Sequence, residues 1–134
     1  MPSLDFQVRY RYDGATSGII VPVEIAHGDE RIALRAKIDT GAEFCLFERG
    51  FGEALGLPIE GGEKRRLGTM TGSFVAFGHR VAIRVLDIEF EIIAFFPESR
   101  EIRRNLLGRQ GWLQQVRFGV VDYDQLVYLS RYDS

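Results

Sequence analysis

The chain is predicted to be an all-β domain with one or two short helices, and three observations predict it. Apolar residues alternate with polar ones at a period of two over most of the length. Turn-forming residues separate these runs at short intervals. The two segments with helical spacing are brief, and the first contains Gly50 and Gly52, which weaken a helix.

The elements follow in order. Phe6, Val8 and Tyr10 alternate with Gln7, Arg9 and Arg11 as a half-buried strand, and Asp13-Gly14 is a turn. Ile19 to Ala26 is a second strand. His27-Gly28-Asp29-Glu30 is a hairpin turn, and Arg31 to Ile38 returns with Ile32, Leu34, Ala36 and Ile38 on one face. That strand delivers Asp39 where the backbone leaves the sheet. Phe44 to Phe47 reads as a short apolar strand. Glu48 to Leu55 reads as a brief helix stopped by Gly56, and Glu60 to Glu63 as a loop. Lys64 to Phe77 is a hairpin with the small, polar tip Thr69-Met70-Thr71-Gly72-Ser73, and Gly78-His79 is expected to be a turn with His79 at the surface. Val81-Ile83-Val85 and Ile88-Phe90-Ile92 are alternating strands joined near Leu86-Asp87. The apolar run Ile92 to Phe96 stops at Pro97. After a charged connection to Arg104, Arg109 to Gln115 reads as a second short helix with Trp112 and Leu113 as its apolar side. Val116 to Val121 and Leu126 to Tyr132 are terminal strands. With no repeat, linker or low-complexity segment, residues 1–134 read as a single closed or sandwich-like domain.

The bulk properties narrow the function. The 134 residues are 46% apolar and 27% charged, with a formal net charge of −2, an ordinary soluble composition. The basic clusters Lys64-Arg65-Arg66 and Arg103-Arg104 are short and read as solvated faces, so no nucleic-acid partner is expected. No apolar run approaches a membrane span and the N-terminus has no apolar signal core, so a soluble, cytoplasmic chain without a membrane partner is expected. The single cysteine, Cys45, allows no intramolecular disulfide and no cysteine-based metal site. It reads as a small buried residue between Phe44 and Leu46. Asp122 and Asp124 read as turn chemistry, and no metal or cofactor is expected.

Asp39-Thr40-Gly41 interrupts the strand pattern and carries the chemistry. Gly41 permits a tight turn and close backbone approach, and the Thr40 hydroxyl can donate and accept. By chance such a triplet occurs in about one chain in forty of this length, so alone it is suggestive and no more, the bland reading being an Asx-turn between strands. A second motif, Asn105-Leu106-Leu107-Gly108-Arg109, lies downstream, beyond a helix, a Gly-bearing hairpin and two strands.

In this order, Asp39-Thr40-Gly41-Ala42, the hairpin Leu67 to Phe74 and Asn105 to Arg109 resemble the retropepsin-type aspartic proteases over roughly residues 19–121. The resemblance implies a closed β-barrel-like acid-protease single lobe. It makes Asp39 the catalytic aspartate, Thr40 the residue that locks two active loops together across a dimer, and Gly41 a lining of the substrate backbone. Leu67 to Phe74 becomes a flap, so that Gly68, Thr69, Met70, Thr71 and Gly72, with Ala42 and Leu107, would contact substrate. Glu43 and Arg109 would form an ion pair bracing the site. The flap tip has fewer glycines than the viral pattern, and residues 1–18 and 122–134 extend beyond the family core.

One chain has one such triplet, whereas the chemistry needs two acids. Two carboxylates about 3 Å apart repel by roughly 5 kcal/mol at an effective dielectric near 20, so one stays protonated while the other is ionised, the pattern known for aspartic proteases. The resemblance therefore implies a homodimer with a two-fold axis through the site. That dimer would act as an aspartic-type endopeptidase on an extended peptide or protein substrate bound as an added strand. The same residues also fit a catalytically silent peptide-binding or dimerisation module that keeps the fold. A small-ligand barrel anchored by Asp39 leaves the hairpin without a role.

Overall fold

The alternating runs become nine strands in a computed structural model that describes every residue from Met1 to Ser134. They are β1 (Val8–Arg11), β2 (Ile20–His27), β3 (Glu30–Ile38), β4 (Glu63–Thr69), β5 (Gly72–Val85), β6 (Ile88–Pro97), β7 (Leu106–Leu107), β8 (Val116–Val121) and β9 (Leu126–Arg131). One α-helix, α1 (Arg49–Ala54), and three 3-10 turns complete the chain. The all-β class is therefore observed, and no helix is long and apolar enough to cross a membrane.

The strands form two sheets. The larger runs β4-β5-β2-β3-β7, with β6 on β5, and the smaller runs β1-β9-β8. Each hairpin follows from its turn. Gly28-Asp29 joins β2 to β3, which pair from Ile20↔Lys37 to His27↔Glu30. Leu86 and Asp87, with φ of 50° and 71°, join β5 to β6 as the left-handed residue pair that matches strand twist. Pro22 is tolerated inside β2 because the pairing of β2 with β5 spans Val23 to Ala26 and leaves Pro22 outside it.

The alternation then assembles one apolar interior. Leu34, Ala36 and Ile38 of β3 are buried beside Val21, Val23 and Ile25 of β2 and Val81, Ile83 and Val85 of β5. Tyr12, Val116, Val127 and Leu129 of the terminal segments belong to the same cluster as these residues, Phe47, Phe96 and Trp112. Burial of that continuous surface is the main force joining the two sheets. The terminal stretches beyond residues 19–121 are thus built in, as β1 and β9 pair along Val8↔Leu129 to Arg11↔Leu126.

Three expectations are corrected. The larger sheet does not close into a barrel: the gap between β6 and β7 is spanned only by bridges from Leu46 to Phe95 and Leu106. β7 stops after two residues because the next backbone groups turn to a different task, described below. The expected helix over Arg109 to Gln115 shrinks to a 3-10 turn, Leu113–Gln115, since the N–H groups of Arg109 and Gln110 bond across to Ala42 and Glu43. Gly78-His79 is no turn but the middle of β5. There Gly78 lets the strand lie against Phe95, whose ring a Cβ would meet at 3.0 Å, and His79 Nε2 donates to the Ile59 carbonyl at 2.9 Å.

α1 is pinned by charge as well as packing. Arg49 reaches Glu53 at 3.1 Å and Glu60 at 2.6 Å, and Arg100 reaches Glu53 at 2.5 Å. Hydrogen bonds from Arg100 to Glu53 and from Arg49 to Glu60 hold both carboxyls below the usual range.

Candidate active site

The end of β3 delivers Asp39 beside β7. β3 and β7 run parallel, with Lys37↔Leu106 and Ile38↔Leu107 in register, and the Asp39 N–H donates to the Leu107 carbonyl at 3.0 Å. The Ala42 N–H closes a turn onto the Asp39 carbonyl at 3.1 Å. Asp39 Oδ1 accepts from the Gly41 N–H at 2.9 Å, which fixes the carboxylate over its own loop. Asp39 is half-buried, while Thr40 and Gly41 are exposed.

The loop is strapped along its length. Arg109 N–H donates to Ala42 carbonyl at 2.9 Å, and Gln110 N–H to Glu43 carbonyl at 2.8 Å. Gly108 makes this approach possible: a Cβ there would collide with the Phe44 carbonyl oxygen and stand 2.9 Å from that of Ala42. The Leu-Leu-Gly motif thus threads directly behind the acid loop, and Gly108 is required by backbone approach.

The side-chain brace differs from expectation. Glu43 and Arg109 form no ion pair within the chain. Glu43 Oε1 instead accepts from Gln110 Nε2 at 3.3 Å. The Arg109 backbone is held on Ala42, and its exposed side chain lines an open polar cavity of about 490 Å³ with Thr40, Gly41, Glu43, Gln110 and Gln114. A different pair supplies a brace on this side. Asn105 Nδ2 donates to Glu48 Oε2 at 2.7 Å, and the Glu48 N–H donates to Asn105 Oδ1 at 3.0 Å. An Asn beginning the second motif and a Glu following the acid loop were both visible in the sequence, but only the fold joins them.

Leu107 is also misplaced as a substrate contact. It is 0% exposed in the main core, because the two-residue alternation of β7 turns Leu107 inward and Leu106 outward. Leu106 packs, partly buried, against a second apolar cluster of Leu46, Ala76 and Phe95, together with Phe44, Leu67, Phe74 and Ile102. Leu67 and Phe74 sit opposite each other in β4 and β5, so this pair of the hairpin packs on the same small cluster as Phe44 and Leu106. The hairpin tip is a two-residue turn, Met70-Thr71, between Thr69 and Gly72. Thr69 Oγ1 donates to the Gly72 carbonyl at 3.1 Å and accepts from the Thr71 N–H at 3.3 Å. Gly68 to Gly72 are all exposed.

Cys45 offers no second nucleophile. Burial pushes its thiol up to about 12, against the N–H groups of Gly108 and Trp112, which act in the opposite direction. No three His, Cys, Asp or Glu side chains converge as a metal site. The site is therefore a strapped, half-buried carboxylate whose loop neighbours Thr40 and Gly41 line an open polar cavity. No protein-family model matches the chain, and no curated protein matches it.

Proposed function

We propose that the chain is an aspartic-type endopeptidase of retropepsin-like architecture, active as a homodimer. The observation that carries this reading is the Asp39 loop. One carboxyl oxygen is held by the Gly41 N–H, the backbone is strapped to Leu107 through Gln110, and Thr40 is exposed with no hydrogen bond inside the chain. A loop ordered in this way without its hydroxyl engaged is suited to meet a second copy of itself.

In the dimer the ionised Asp39 takes a proton from a bound water, whose oxygen attacks the scissile carbonyl carbon. The protonated partner's Asp39 donates to the carbonyl oxygen. Collapse of the tetrahedral intermediate breaks the C–N bond and returns a proton to the leaving amine. The exposed hairpin tip, Gly68 to Gly72, covers an extended peptide, and β4, at the end of its sheet, offers unpaired backbone groups to it.

The test is cleavage of a mixed peptide library from acidic to neutral pH. Asp39→Asn is expected to abolish hydrolysis while leaving the circular dichroism spectrum and unfolding midpoint near those of the parent. Full hydrolysis by Asp39→Asn would overturn the reading. A catalytically silent peptide-binding or dimerisation module is favoured by one observation, the lack of a Glu43–Arg109 pair within the chain. It predicts binding without hydrolysis in the same assay.

A further inference from the structure

The hairpin face that packs on Leu46 and Phe95 is not wholly apolar. On β4, Glu63, Arg65 and Leu67 share a face, opposite Gly78, Ala76 and Phe74 of β5. Leu67, Ala76 and Phe74 belong to the second apolar cluster. Arg65 lies on that face opposite Ala76, on the side of Leu67 away from the tip, with its guanidinium carbon 5.2 Å from the centre of the Phe44 ring. Phe44 is itself set against Phe95, with ring centroids 4.7 Å apart, so the cation rests on a braced aromatic platform.

Phe44, Leu67, Phe74 and Leu106 are each only half-buried although they belong to an apolar cluster. They form a partly exposed apolar strip, flanked by Arg65 over the Phe44 ring. The one ion-pair partner of Arg65 is Glu63, at 2.9 Å, and the two side chains are 48% and 55% exposed. A pair that open contributes little and exchanges readily, and most of the guanidinium donors stay free. The surrounding charge favours an anion. Arg103 and Arg104 are in no ion pair within the chain and directly follow Ile102 of the same cluster, and the acids Glu98 and Glu101 of that connection are outnumbered by its arginines. The position of Arg65 over the Phe44 ring also restricts its guanidinium, which lowers the ordering cost of a bidentate carboxylate contact.

We propose that the strip of Phe44, Leu67, Phe74 and Leu106, flanked by Arg65, is a specificity subsite that seats an acidic side chain, glutamate above all, of a bound extended peptide. The methylenes lie on the apolar strip and the carboxylate displaces Glu63 from Arg65. Glutamate has the longer stem for this, and lysine or arginine would face the cation. The inference rests on the peptidase reading for the presence of a peptide at this face, and it adds what that peptide must carry.

Two readouts separate the claims. Binding of a positional peptide library is measured with the uncleavable Asp39→Asn protein, and cleavage with the parent. Glutamate is expected to exceed glutamine at one peptide position by about tenfold, the usual scale of a partly solvated charge-assisted contact. Arg65→Met, which keeps a stem over Phe44, is expected to bind the library but lose the preference, and Arg65→Lys to retain part of it. Equal binding of glutamate and glutamine peptides, or a preference that survives Arg65→Met, overturns the subsite. Cleavage without acidic preference overturns the subsite alone. Acidic preference in binding with no cleavage by the parent upholds it and overturns the peptidase. Absence of any peptide binding overturns both.

Discussion

Gly108 shows how a single position can decide whether the acid loop forms. Its missing side chain lets the backbone after β7 pass against the carbonyls of Ala42 and Phe44, and the neighbouring N–H groups of Arg109 and Gln110 then strap that loop. Backbone atoms cannot yield as the end of a flexible side chain can. Gly108→Ala is expected to lower stability by about 1–3 kcal/mol, the range for forcing extra volume into a packed site. A shift of the urea midpoint checks it, and hydrolysis should fall with it. Asp39 itself was legible in the sequence as an acid at the end of an alternating strand. Leu107 was legible as part of a motif but not by direction: a two-residue strand offers too little alternation to show which leucine faces inward, and burial decides. The Glu43–Arg109 pair was expected from resemblance alone, yet Gln110, brought opposite by the strap, takes the Glu43 carboxylate.

Among the elements, hairpins were the most legible. The pairing of β2 with β3, β4 with β5 and β5 with β6 follows from period-two runs and the residues between them. The turn between β5 and β6 is imperfect, since Leu86 and Asp87 both take positive φ without being glycine. Leu86 packs against the core, so Asp87 is the replaceable member. Its ion pair with Arg84 is 3.3 Å long and Asp87 is 81% exposed, which makes that pair worth little. Asp87→Gly is therefore expected to raise stability by about 0.5–1 kcal/mol, relief of left-handed strain outweighing the lost pair and the added freedom of the unfolded chain. Thermal unfolding of the two proteins side by side checks the sign. The second helix was not legible as a mere turn, because the N–H groups that would have propagated it bond to residues about sixty-seven positions earlier in the chain. The Gly78-His79 pair likewise read as a turn, while Phe95 across the sheet makes it the interior of a strand.

For the whole molecule, the two sheets share one apolar cluster, so the terminal strands belong to the body that presents Asp39. On the proposed reading one such body is half an active site. Activity per chain is expected to fall on dilution in step with the dimer fraction measured by sedimentation. Constant activity per chain across a range where the protein sediments as a monomer would remove the two-carboxylate mechanism. The amino-acid order alone determined the all-β class, most strand positions and the placing of an acid, a hydroxyl and a glycine at a strand end. Each of these depends on neighbours within a few residues, through side-chain period and turn chemistry. The tertiary structure decided that the large sheet stays open beside Leu46, that Gly108 lies under the acid loop, and that Arg65 rests on Phe44. Those are contacts between residues twenty or more positions apart, and they depend on which faces are buried together rather than on local propensity.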